Sequence, residues 1–157
     1  MKKIVFFGVM TVLTITWLVT FAAGEWKETE ISRYVPLPNK INIIPPDKTL
    51  APETAAFSGG WEGIWNESDR KAVLIVENVN EKEATIILGG GKGKSGFREE
   101  GWERHKGKVE GNKIRITASR SFYVIEIQED LKTIKVSEDY HSGRVVKSTI
   151  TMRKVED

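Results

Sequence analysis

From Ser58 to the C-terminus the chain has no proline, and its apolar residues fall into short β-branched runs separated by turn residues at regular intervals. Eight such runs can be read: GGWEGIW, KAVLIVENV, EATIIL, GWERHKGKVE, NKIRITAS, SFYVIEIQ, TIKVSED and GRVVKSTITMRKV. The breaks between them, such as Asn80-Glu81-Lys82 and Gly111-Asn112, are too short to hold crossover helices. Consecutive strands must therefore pair antiparallel.

Alternation assigns the faces. Ile114 and Ile116 point away from Lys113 and Arg115, Ile134 and Val136 away from Lys135 and Ser137, and Ile150 and Met152 away from Thr149, Thr151 and Arg153. Strands with one dry and one wet face can bury the dry side by closing on themselves, which also removes exposed edges. The expectation is an all-β, eight-stranded antiparallel up-and-down barrel over residues 58–157. A two-sheet sandwich is the alternative, but its Greek-key crossings need longer connections.

The sequence upstream is different. All five prolines lie between Arg33 and Phe57, and proline removes backbone donors and favours extended conformations. Residues 25–57 therefore read as an extended lead, and Tyr34, Val35, Leu37, Ile41, Ile43 and Ile44 give part of it reason to lie along the barrel. Residues 1–24 combine Lys2 and Lys3 with an uncharged apolar stretch from Ile4 to Ala23 and small residues at its end. That is the layout of a signal peptide or, if it stays uncleaved, of a membrane anchor. Either way the expected location is outside the cytoplasm, periplasmic or secreted, with membrane contact only through this segment.

Several function classes are excluded or weakened. The chain has no cysteine, so disulfides and thiolate metal sites are ruled out. Loss of Lys2 and Lys3 with the first segment would take the formal net charge from +2 to 0, which leaves no long-range attraction for nucleic acid. The stretch ATIILGGGKGKSGFREEGWER ends a strand in Gly93-Lys94-Ser95, but Leu88 stands where a phosphate-binding loop needs its first glycine. The residues after Ser95, GFREEGWERHKGKVE, lack helical spacing of apolar side chains and do not open a helix. The expectation is a long hairpin loop that lids one barrel mouth. His105 and His141 lack metal-ligand spacing, no nucleophile elbow occurs, and Glu99, Glu100 and Glu103 alternate with Arg98 and Arg104 as a solvated charge mixture. No enzyme, cofactor or metal is expected.

The first strand, FSGGWEGIWN, places Trp61, Gly63 and Trp65 on one face. Its Gly63-Ile64-Trp65 and Gly59-Gly60-Trp61 resemble the Gly-x-Trp motif that opens lipocalin-like (calycin) barrels, and the segment also looks like the opening of small uncharacterised bacterial exported barrel domains. The resemblance implies a tryptophan that closes one barrel end, an arginine from the last strand packed on it (Arg153 by position), and an interior able to hold a small molecule. Trp102 begins the strand after the long loop and is a candidate for the mouth. Tyr123 is the better-placed residue of its strand for orienting a ligand. The expected ligand-binding set is thus Trp61, Trp65, Trp102, Tyr123 and Arg153. The expected partner is a small apolar molecule or, alternatively, an envelope protein or glycan met by the outer face of a filled barrel.

Overall fold

The computed structural model describes residues 26–94, 99–141 and 145–156, without the side chains of 141, 145 and 146. The segment expected to be a signal or anchor lies outside the described residues, as does Ser95 of the glycine-rich loop. Within them the strands are β1 (Gly59–Trp65), β2 (Arg70–Val79), β3 (Glu83–Gly90), β4 (Gly101–Glu110), β5 (Lys113–Thr117), β6 (Ser121–Ile127), β7 (Thr133–His141) and β8 (Val145–Lys154). They form a closed barrel in sequence order, every neighbouring pair antiparallel. This is the up-and-down topology that the short turns require.

Closure rests on a narrow seam. β1 joins β8 through Trp61–Lys154 and Glu62–Arg153, with the Val155 amide donating to the Gly60 carbonyl at 2.9 Å. Directly above it, a Cβ on Gly63 would lie 2.7 Å from the Thr151 carbonyl oxygen and 3.1 Å from Ile150 and Met152 side-chain carbons. Glycine is what lets the two strands come this close.

The end of the barrel away from the long β3–β4 loop is solid. Phe57, Trp61, Val76, Ile86, Ile114, Ile116, Ile125 and Ile134 are fully buried there in one apolar cluster. Trp61 donates its indole N–H to the Phe57 carbonyl at 2.9 Å, so even this ring leaves no unsatisfied polar atom. A five-residue helix, α1 (Pro52–Ala56), leads into this floor. The expected lead is therefore not extended throughout. Proline at the start of a helix lacks only an N–H that would have been unpaired anyway, and two alanines complete the turn.

The remainder of residues 26–57 crosses the outer face of β1, β2 and β3. Trp26 fills the space outside Gly60, Thr29 donates to Glu62 at 2.5 Å, and a 3₁₀ turn at Ser32–Tyr34 brings Val35 and Leu37 onto Gly89. Further along, the amides of Asn42 and Ile44 donate to the Glu77 side chain and carbonyl at 3.1 and 2.7 Å. This layer explains why β2 is buried on both faces: Ala72, Leu74 and Val76 look into the barrel, while Val73 and Ile75 pack with Ile87 under Val35, Leu37, Ile41 and Ile43.

Candidate functional site: a half-open cavity with two unlike walls

β4 bonds to β3 along its whole length, from Glu83–Lys108 to Gly90–Gly101, but to β5 only through Lys108–Arg115, Val109–Ile114 and Glu110–Lys113. Gly107 ends that short ladder, and a Cβ there would lie 2.5 Å from the Ile114 Cγ2. Beyond it the mouth half of β4 parts from β5, and a cavity of about 620 Å³ occupies the opened end of the barrel. It is open to solvent, since the Glu103 side chain on its wall is 71 % exposed. The volume lies in the range of small-molecule sites.

The lining is divided. Trp65 of β1, Ala72 and Leu74 of β2, Leu88 of β3, and Ile150 and Met152 of β8 make an apolar wall, extended by Val136. The polar part of the lining includes Glu103 and His105 of β4, with Glu103 paired beside Leu88 on β3, together with Ser121 and Tyr123 of β6 and Tyr140 of β7. His105 Nε2 lies 3.0 Å from Glu103 Oε2. Ser121 donates its hydroxyl at 2.8 Å to Glu138, a carboxylate buried inside the barrel. A carboxyl group in such a place is tolerated only with hydrogen-bond partners.

At the rim, Arg70 lies against Gly90, where a Cβ would collide with its guanidinium, and donates to the carbonyls of Gly91 (2.9 Å) and Glu99 (3.0 Å). It thereby pins both ends of the β3–β4 loop. The glycine-rich stretch is thus close packing on two faces rather than an anion cradle: Gly89 and Gly91 make room outside for Val35 and the Tyr34 carbonyl, and Gly90 makes room inside for Arg70.

The residues expected to bind ligand are dispersed. Trp65 and Tyr123 line the cavity. Trp61 does not; it lies in the solid floor, fully buried. Trp102 edges the mouth on the outer side, 41 % exposed, with the Arg104 guanidinium 5.8 Å from its ring centre. Arg153 requires correction: it is exposed on the outer face opposite Glu62, and the cation over the Trp61 ring is Lys154, 5.0 Å away and bonded to the Ala56 carbonyl at 2.6 Å. Because Met152 faces inward, so does residue 154, and 153 cannot.

The polar wall was missed from sequence. Glu103 and His105 read as surface charges, yet Arg104, Lys106 and Lys108 alternate with them on the opposite face, and Gly107 and Val109 continue the inward set. That alternation was the available signal.

No family model matches this chain, and neither does any curated protein. The class that the fold and site define is an eight-stranded, all-antiparallel closed β-barrel with one solid and one open end.

Proposed function

We propose that this chain is a non-enzymatic, exported, lipocalin-like binding barrel that holds one small, largely apolar molecule in its open half. The observation that carries the reading is the cavity of about 620 Å³ with its continuous apolar wall of Trp65, Leu74, Leu88, Ile150 and Met152. Burial against such a wall stabilises a bound apolar body by roughly 25 cal/mol per Å² removed from water. The absence of catalysis is supported by the pairing of the polar groups: His105 meets Glu103, while Ser121 is committed to Glu138. The members of a hydrolytic relay are thus in two separate pairs rather than one chain.

Native mass spectrometry of the mature protein purified from its own envelope tests the proposal. The expected result is a co-purifying small molecule that is lost in a Trp65→Ala variant. A bare protein that also fails to take up an apolar fluorescent dye overturns it. A second reading, docking of a protein or glycan on the outer face, draws on the exposed Tyr34 and Trp102. It predicts loss of binding on Trp102→Ala and none on Trp65→Ala.

A further inference from the structure

Resting on the reading of the cavity as a binding site, we infer that its guest bears hydroxyl groups along one flank of an apolar body. Alternation along β6 and β7 carries the argument. Inward positions at the floor end of both strands are apolar, with Ile125 directly opposite Val136. Towards the mouth they turn polar together: Tyr123 stands opposite Glu138, and Ser121 opposite Tyr140. Four neighbouring inward positions thus carry a hydroxyl or a carboxyl group. In the closed strand order β6 and β7 lie four strands from β2 and β3, so this block faces the apolar side chains of Ala72, Leu74 and Leu88 across the cavity.

The block is built rather than incidental. Glu138 is fully buried and receives the Ser121 hydroxyl at 2.8 Å, and Tyr123, Glu138 and Tyr140 are all held by partners. Ser121, Tyr123 and Tyr140 line the cavity, with Glu138 bonded behind them. A buried carboxyl group adds nothing to barrel stability that a packed apolar side chain would not supply; here it helps to fix hydroxyls on a cavity wall. Hydroxyl groups donate and accept alike, which matches a guest hydroxyl in either sense. A charged head finds no such match, since the lining charges are of both signs, Arg70 and Arg120 against Glu99, Glu100 and Glu103.

Displacement of the neutral dye N-phenyl-1-naphthylamine by two neutral steroid esters tests the inference: methyl cholate carries three hydroxyls on one face, and methyl lithocholate has one. Hydrophobicity alone ranks lithocholate first. The reverse is expected, with methyl cholate about tenfold tighter through its two further hydrogen bonds. Tyr123→Phe and Tyr140→Phe keep the ring and remove only the hydroxyl; each should reduce that ratio about threefold, while dye affinity reports an intact cavity. Thr149→Val, exposed on the outer face of β8 and outside the lining, should leave the ratio unchanged. Methyl lithocholate binding as tightly as methyl cholate, a ratio untouched in both Phe variants, or an equal loss in Thr149→Val overturns the hydroxyl assignment, and dye uptake then leaves the cavity a binding site. Failure of the dye and of both esters up to their solubility limits overturns the binding reading itself.

Discussion

Gly63 and Gly90 look alike in the sequence and do different work. At Gly63 the atom a methyl group would strike is a backbone oxygen of β8, which can yield only if the barrel seam shifts. At Gly90 it is the end of the Arg70 side chain, which can swing away. Gly63→Ala is therefore expected to cost about 1–3 kcal/mol of stability, in line with overpacked interiors, and Gly90→Ala clearly less, with urea midpoints as the measurement. Equal losses would contradict the distinction. At this scale the sequence was partly legible. Period two put Trp61, Gly63 and Trp65 on one face, but their height along the barrel axis, which separates a floor residue from a cavity residue, depends on strand stagger that alternation does not encode. The Lys154 contact was legible: β8 itself alternates Ile150 and Met152 with Thr151 and Arg153, and the family resemblance pointed one residue short.

Among the elements, the layer over β1–β3 is tied down most firmly where β2 bulges between Val76 and Asn78. Glu77 there is buried, receives Arg104 Nε at 2.7 Å and Nη2 at 3.2 Å, and also accepts the Asn42 amide; Arg104 extends a further bond to the Lys40 carbonyl. Arg104→Ala removes the partner of a buried carboxylate. Because the arginine itself is 41 % exposed, the expected loss is about 1–3 kcal/mol rather than the larger figure for a fully buried pair. Limited proteolysis should show faster cutting around residues 38–48 before the barrel unfolds, and unchanged cutting there would remove the clamp from the account. The need for such a cover was written in β2, whose apolar residues occupy both faces. The Glu77–Arg104 pair was not, because the two residues lie on strands separated by β3 and meet only through the bulge and the curvature of the sheet.

For the whole molecule, acid is the natural probe. Hydrogen bonds from Arg115, then Lys108, hold the Glu110 carboxyl below its usual range; those from the Thr133 hydroxyl, then the Lys132 amide, do so for Asp130; and the Thr49 amide, then its hydroxyl, for Asp47. A carboxyl with a lowered value in the folded state contributes stability that is fully present above its unfolded value, about 4, and is lost as pH falls through the lowered value. Urea midpoints should accordingly stay level from neutral pH to about pH 4.5 and decline below it. Asp130→Asn should lower the neutral-pH midpoint slightly and make the acid decline shallower; an unaltered decline would deny the β6–β7 turn its part. The strand number, order and antiparallel pairing of this molecule could be read from turn length and alternation. The cavity could not, since it arises from the shortness of one ladder: Gly107 is visible in the sequence, but alternation does not say that pairing with β5 stops there.

The β4–β5 and β8–β1 junctions, each held by only a few rungs, sit diametrically across the barrel and divide it into a shell of β1–β4 and a shell of β5–β8. A cylinder joined along two such short junctions offers least resistance to one movement, a tilt of one shell against the other, which would spare every long ladder while widening the chamber. On the proposed reading, a guest would enter and leave by that tilt rather than by unfolding.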